Sequence, residues 1–163
     1  MVTAGVYMVA RMNFVYRESP VALLVVAIVG GLTAFFAATI GLAQNDIKKV
    51  LAYSTVSQLG YIFLGFAVAT PTGIAGSLLF VLTHGLAKAG LFLCAGIVIH
   101  ATHKRDIREM GGLIKTMPFT AVAFLACAFS VIGIPPFGGF FSKFLVIVGT
   151  VKAGQVLVAA VAL

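Results

Sequence analysis

Long apolar stretches alternate with short polar ones along the chain, a pattern typical of an all-α, polytopic bundle of transmembrane helices. Residues 21–44, 47–69 and 73–101 are predominantly apolar. Each stretch is long enough to cross a hydrocarbon core of about 30 Å as a helix that rises about 1.5 Å per residue. Capping or turn-forming residues separate them at positions 45–46 and 70–73. We therefore predict three complete spans in this part of the chain.

A fourth apolar stretch, residues 117–151, is interrupted near its middle by Pro135-Pro136 and the glycines that follow. Proline removes an amide donor and clashes with the preceding helical turn, so we predict two half-helices joined by an unwound segment. The apolar stretches 1–10 and 156–163 are too short to span. We expect about four complete spans with partial helices at both ends. Residues 1–163 would then form a single membrane module, a fragment of the second half of a longer subunit.

Composition and charge placement support a membrane protein. Hydrophobic residues make up 61% of the chain and charged residues 9%, whereas soluble domains contain about 25% charged residues. The formal net charge is +7, but the basic residues lie in polar segments between the apolar stretches. Such placement indicates topology signals and attraction to anionic lipid, and it excludes a nucleic-acid-binding protein.

The polar segments also predict an orientation. Segments 45–49 and 103–115 are expected on one side of the membrane. They carry six basic residues, namely Lys48, Lys49, Lys104, Arg105, Arg108 and Lys115. A polar loop at residues 11–20 and the turn at 70–73 lie on the opposite side. The positive-inside rule therefore places segments 45–49 and 103–115 in the cytoplasm.

Lys88 is the only acid, lysine or arginine between Val50 and His103. It falls near the middle of its span, where a charge costs several kcal/mol unless a partner or a water cavity receives it. His84, four residues earlier, shares the same helix face and titrates near neutrality. The alternative is a lysine that reaches the interface beside a histidine satisfied by a backbone carbonyl, but a mid-span position disfavours it. We interpret Lys88 and His84 as a proton-exchanging pair.

Other polar residues are weaker candidates. Lys143 lies within the first turns after the broken segment, where it either takes part in transport or compensates the exposed carbonyls of a half-helix. For Asp46 and Lys48, a helix-capping acid and a topology-setting lysine are the simpler interpretation. A polar row in the second span either organises water or binds helix to helix, and both remain open. Its members are Tyr53, Ser54, Ser57, Gln58 and Tyr61.

Several kinds of site are not indicated. Cys94 and Cys127 lie inside apolar stretches and are expected as small buried residues. His100 and His103 form a His-x-x-His pair without an acid or cysteine to complete a metal site. The chain contains no phosphate loop, dinucleotide fingerprint, carboxylate pair or nucleophile triad. We predict no cofactor in this chain and no catalytic chemistry within it.

Four stretches, in order, resemble one family. They are NDIKKVLAYSTVSQLGY at 45–61, Thr83-His84 with Lys88, DIREMGGL at 106–113 and GIPPFGGFFSK at 133–143. They are similar to the antiporter-like, proton-conducting membrane subunits of respiratory complex I. The same family includes subunits of multisubunit cation/proton antiporters and of energy-converting hydrogenases. The resemblance covers essentially the whole chain.

The resemblance implies a path of buried lysines, histidines and acids linked by water. Lys88 resembles the central relay lysine and His84 the relay histidine beside it. Lys143 resembles the ionisable residue of the second broken helix, at the exit half-channel. Asp46 and Lys48 match charged positions that couple relay segments.

One position departs from the family pattern. Phe80 stands where some relatives carry a second histidine, so the relay is shorter or water replaces that group. The family's earlier glutamate and lysine are absent, and transport by the fragment alone is not expected.

The resemblance further implies partner membrane subunits in a bacterial or archaeal inner membrane, with redox cofactors and quinone in other subunits of an NADH-quinone oxidoreductase-type complex. A subunit of a sodium/proton antiporter or of a hydrogenase is the nearest alternative. The third class of function is a purely structural membrane subunit, in which the lysines make only static contacts.

Overall fold

The computed structural model describes residues 2–154, which form an all-helical bundle. In chain order the helices are α1 (Val2–Arg11), α2 (Asn13–Tyr16), α3 (Pro20–Leu42), α4 (Ile47–Ala67), α5 (Pro71–Thr102), α6 (Leu113–Thr116), α7 (Pro118–Ile132) and α8 (Gly138–Lys152), with a 3-10 turn at Ile107–Glu109. Helices α3, α4 and α5 are long and apolar enough to cross a membrane. The predicted all-α fold and its three unbroken spans are confirmed.

Side-chain caps and prolines set where the long helices begin. Ser19 accepts a hydrogen bond from the backbone amide of Ala22 at the start of α3. Thr70 does the same for Gly73 at the start of α5, where Pro71 occupies the first turn. These contacts satisfy amides that have no partner within the helix, and proline fits a first turn because it lacks that amide.

Helices α4, α5 and α8 pack around a common interior, and α3 packs along α4. Gly30 of α3 and Gly60 of α4 bring those two backbones into close contact, and an added Cβ at Gly60 would lie 2.5 Å from the Gly30 carbonyl oxygen. Helix α5 packs against α4, α7 and α8. The apolar core includes Phe66, Phe80 and Val146, from α4, α5 and α8. Helix α5 is therefore the central element among the described residues.

The predicted break in the fourth span is confirmed. Helix α7 ends at Ile132 and α8 begins at Gly138. Gly133 has a φ of 92°, a left-handed conformation that favours glycine. An added Cβ at Gly139 would collide with the carbonyl oxygen of Ser130, so the two half-helices cross at a point where only glycine fits.

One expectation for the polar segments needs correction. Residues 11–20 were expected to form a loop, but they include α2, because the side chain of Asn13 is buried and donates a hydrogen bond to the Phe66 carbonyl oxygen at 3.2 Å. Segment 103–115 contains the 3-10 turn and the start of α6, separated at Gly112, whose φ is 67°. The predicted partial helix at residues 156–163 lies outside the described residues.

Candidate functional site

Lys88 is buried at the interface between α5 and α4. Its side chain is 5% exposed. Its Nζ atom donates hydrogen bonds to Ser54 Oγ at 2.9 Å and to the Leu51 carbonyl oxygen at 3.2 Å. Both partners are neutral and belong to α4, and no acid of residues 2–154 forms a salt bridge with the ammonium group. The structure thus favours the buried placement over a lysine that reaches the interface.

His84 lies one turn before Lys88 and is also 5% exposed. Within residues 2–154, neither its Nδ1 nor its Nε2 has a hydrogen-bond partner. Its ring meets the Phe80 ring edge to face, and the centre of the Phe80 ring lies 5.7 Å from Lys143 Nζ. His84 therefore lies between the two lysines, although no direct hydrogen bond joins it to either within the described part of the chain.

Lys143 reaches back across the broken segment. Its Nζ donates to the carbonyl oxygens of Val131 at 2.9 Å and Ile132 at 3.1 Å, at the end of α7. The same Nζ lies 5.7 Å from the centre of the Phe80 ring. The lysine thus makes the carbonyl contacts expected of a half-helix cap, and it also approaches the core beside His84.

Phe80 occupies the space between the ionisable side chains. It is 1% exposed, and its ring meets those of His84 and Tyr61 edge to face, with centroids 5.7 Å and 5.4 Å apart. An aromatic ring in this position separates Lys143 from His84 without a proton-exchanging group of its own. A transfer between them therefore needs water or a side-chain rearrangement, as the departure at this position implied.

The polar row of α4 divides between two faces. Ser57 Oγ donates to the Ala34 carbonyl oxygen at 2.8 Å and so joins α4 to α3. Ser54 faces Lys88, and the Tyr61 hydroxyl donates to the Lys143 carbonyl oxygen at 3.2 Å. Ser57 thus joins two helices, whereas Ser54 and Tyr61 line the buried site.

The structure does not bring Asp46 or Lys48 to this site. Asp46 caps α4, where its Oδ1 accepts from the Lys48 amide at 2.8 Å and the Lys49 amide at 3.3 Å. The side chain of Lys48 is exposed. Both residues nevertheless lie at the start of the helix whose next turn, at Leu51, contacts Lys88.

Asp46 also pairs with the segment that follows α5. An isolated antiparallel β-bridge joins Asp46 to Asp106. The Asp106 carboxylate binds the Arg108 guanidinium at 2.8 Å, and hydrogen bonding from that side chain lowers the pKa of Asp106 to about 2. The Asp106 side chain therefore stays ionised across the neutral range.

The other candidates take no part in the site. The rings of His100 and His103 lie 6.3 Å apart, and the described residues contain no group of three metal-ligating side chains. Cys94 is buried and Cys127 half-buried, both as free thiols.

Sequence reasoning missed the backbone partners of the two lysines. The carbonyl groups of Leu51, Val131 and Ile132 accept the lysine hydrogen bonds, yet these residues have no side-chain signature. Proximity to Pro135-Pro136 was the one available signal for the α7 carbonyls, because helices end before proline.

Comparison with known proteins identifies the family. The family described as "NADH:quinone oxidoreductase/Mrp antiporter, TM" matches residues 1–163. The chain belongs to this family. Together with its three apolar spans, this membership makes the chain part of an integral membrane protein.

Individual relatives agree with the family. NADH-quinone oxidoreductase subunit L of Mycobacterium tuberculosis is 47% identical over 157 residues, which are 96% of this chain and 25% of the relative. F(420)H(2) dehydrogenase subunit L of Methanosarcina mazei is 49% identical over 136 residues, 82% of this chain and 20% of the relative. The chain thus spans about a quarter of the length of the curated relatives it matches.

Solved structures of the family share the fold. A chain of the Mrp complex from Dietzia sp. DQ12-45-1b matches with a TM-score of 0.89 and 36% identity, over 96% of this chain and 29% of that one. A chain of respiratory complex I from Thermus thermophilus with bound NADH matches with a TM-score of 0.80 and 32% identity, over 86% and 30%.

Proposed function

We propose that this chain is part of a proton-translocating subunit of an NADH-quinone oxidoreductase-type complex, and that Lys88, His84 and Lys143 pass the proton. The observation that carries the proposal is the burial of Lys88 in mid-span with two neutral hydrogen-bond partners. An ion pair would hold a lysine charged by direct attraction. Neutral partners instead leave it free to exist as ammonium or amine, as a relay group must.

The transfer runs along α5 and across to α8. Ammonium at Lys88 passes a proton to the imidazole of His84, one turn away, whose ring nitrogens have no partner within residues 2–154. Imidazolium then passes a proton, through water around Phe80, to the amine of Lys143. Neighbouring positive charges repel strongly in a medium of low dielectric constant, so a proton on one group disfavours a proton on the next. That repulsion drives stepwise transfer along the line.

Asp46 and Lys48 couple this line to the rest of the parent subunit. Their backbone leads into Leu51, whose carbonyl holds Lys88, so a change in charge at the start of α4 acts on the lysine through one helical turn. The partners would be other membrane subunits of the complex, and redox cofactors and quinone would lie in other subunits. We place the protein in a bacterial or archaeal inner membrane, with segments 45–49 and 103–115 in the cytoplasm.

Substitution of Lys88 in the full-length parent complex tests the proposal. Lys88→Met keeps an unbranched apolar side chain of similar size but removes the exchangeable proton. We expect the number of protons pumped per electron to fall in reconstituted vesicles while the complex still assembles. Lys115→Met, at an exposed lysine of α6 away from the site, is the matched control and leaves pumping unchanged. An unaltered proton-to-electron ratio in Lys88→Met would contradict the proposal.

A secondary cation/proton antiporter subunit is the second candidate. The close match to a chain of the Mrp complex favours it, since that TM-score of 0.89 accompanies 96% coverage. The same line of ionisable groups would then exchange protons for sodium without redox energy. Proton-driven ²²Na⁺ uptake into vesicles, in the absence of an electron donor, would support the antiporter, whereas pumping that requires electron transfer supports the complex I-type function.

A further inference from the structure

Two side chains in the described residues, one buried and one half-buried, carry buried polar atoms without a partner, and both lie at the same interface. The atoms are Gln58 Oε1 on α4 and the two ring nitrogens of His84 on α5. An unpaired buried polar group costs free energy comparable to a lost hydrogen bond, so nearly all such groups find a protein or water partner. The pair therefore marks a place where a hydrogen bond is required.

The register between α4 and α5 places these two residues opposite each other. Ser54 contacts Lys88 at one end, with Oγ and Nζ 2.9 Å apart, and Tyr61 contacts Phe80 at the other, with ring centroids 5.4 Å apart. Gln58 lies four residues after Ser54 and three before Tyr61, on the same helix face.

The facing residues of α5 show the same spacing. His84 lies four residues before Lys88 and four after Phe80, so it falls at the level of Gln58 between the two contacts. Ser77 donates to the Ile62 carbonyl oxygen at 3.3 Å and continues the antiparallel register one turn further. The two unpartnered side chains consequently share one level of the interface.

We propose that Gln58 is a positioning residue for His84: its carboxamide oxygen accepts a hydrogen bond from the imidazole, directly or through one bound water. This contact fixes which ring nitrogen carries the proton and leaves the other free to accept one from Lys88. The role rests on the proposed proton transfer, because a fixed tautomer matters only if the ring exchanges protons. The contact itself does not depend on transport.

The test uses Gln58→Met in the full-length parent complex, which keeps the side-chain length and removes the amide. The His84 ring is observed by ¹⁵N solid-state NMR with labelled histidine, and its signals are assigned by their loss in His84→Gln. We expect Gln58→Met to shift the His84 nitrogen signals and to slow proton pumping roughly tenfold, the effect of losing one hydrogen bond. Gln44→Met makes the same change just after α3, away from the site, and leaves both measurements at wild-type values.

The His84 nitrogen signals and the pumping rate distinguish a failure of the Gln58 positioning role from a failure of proton transfer. Unchanged His84 signals in Gln58→Met would overturn the positioning role. Unchanged pumping in Lys88→Met would overturn proton transfer, whatever the His84 signals show. If the complex with Gln58→Met does not assemble, Gln58→Glu is used instead. Glutamate has the same side-chain length as glutamine and keeps an acceptor oxygen at that position. We then expect a hydrogen-bonded His84 ring nitrogen, and signals of a ring without a hydrogen bond would overturn the proposal.

Discussion

Lys88 and Lys143 are both solvated by neutral protein oxygens, but their contacts differ in kind. Lys88 binds one side-chain hydroxyl and one carbonyl of the neighbouring helix α4. Lys143 binds two carbonyls at the end of α7, which have no helical partner of their own. Lys143 therefore caps the end of α7, a structural role that Lys88 lacks. Substitution can separate this role of Lys143 from its proposed role in proton transfer.

Lys143→Gln is expected to retain stability and lose transport. The amide of glutamine donates hydrogen bonds to the α7 carbonyls but cannot carry a transferable proton at neutral pH. Lys143→Met removes both functions and leaves the two α7 carbonyls without this donor, and a polar group left unpaired away from water costs about 1–3 kcal/mol. We expect thermal unfolding of the parent complex to be near wild type for Lys143→Gln and several degrees lower for Lys143→Met, with pumping lost in both. Normal pumping in Lys143→Gln would exclude Lys143 from the relay.

At the scale of the residue, the sequence alone was sufficient to single out Lys88, because no other fixed charge lies between Val50 and His103. It did not predict the partners of Lys88. A carbonyl such as that of Leu51 is present in every residue, and only the packing of α4 against α5 determines which one faces the lysine. The pairing of Gln58 with His84 depends on that same register.

Among the elements, the break between α7 and α8 is the feature that positions Lys143. The chain leaves α7 through Gly133 and enters α8 at Gly138, next to the crossing of Gly139 with Ser130. This close approach directs α8 so that Lys143 can reach the open end of α7. The geometry of the break thus depends on the absence of a side chain at Gly139.

Gly139→Ala is expected to disturb the break. The added methyl group would overlap the Ser130 carbonyl, a backbone atom that cannot rotate away, and overpacking of this kind costs about 1–3 kcal/mol. We expect a lower thermal unfolding temperature of the parent complex and reduced pumping. Gly96→Ala in α5 is the control, because no neighbouring atom lies within 4 Å of an added Cβ there. Equal unfolding temperatures for the two variants would show that the crossing is not rigid.

The helices themselves were largely predictable from hydropathy and turn residues. Helices α3, α4 and α5 begin within two residues of the predicted starts, because Ser19-Pro20, Asp46 and Thr70-Pro71 mark them locally. Helix α2 was not predicted. In this helix Asn13 is buried against the end of α4, where it contacts Phe66. The two residues are 53 positions apart in sequence, so the local pattern of residues cannot reveal the contact.

For the molecule as a whole, the structure joins the two segments that the charge pattern placed on one side. The Ile47 amide donates to the Arg105 carbonyl at 3.1 Å, and the Ile107 amide donates to the Asn45 carbonyl at 2.8 Å. These bonds lie on either side of the Asp46–Asp106 bridge. The start of α4 and the segment after α5 therefore face the same compartment.

Accessibility to a membrane-impermeant thiol reagent tests the orientation. In a parent subunit in which its cysteines, including Cys94 and Cys127, are replaced by alanine, we expect Lys104→Cys to react in inside-out vesicles. Arg17→Cys should react only in right-side-out vesicles, because α3 separates it from that surface. Both original side chains are exposed in the structure. The opposite labelling pattern would invert the proposed topology.

The most direct test of the central claim is the protonation state of Lys88 during turnover. Lysine labelled with ¹⁵N at Nζ distinguishes ammonium from amine by solid-state NMR, and the Lys88 signal is assigned by its loss in Lys88→Met. In the reconstituted parent complex we expect this signal to change between the two forms when electron transfer is started and to return when it stops. A Lys88 that remains ammonium throughout active pumping would contradict the relay.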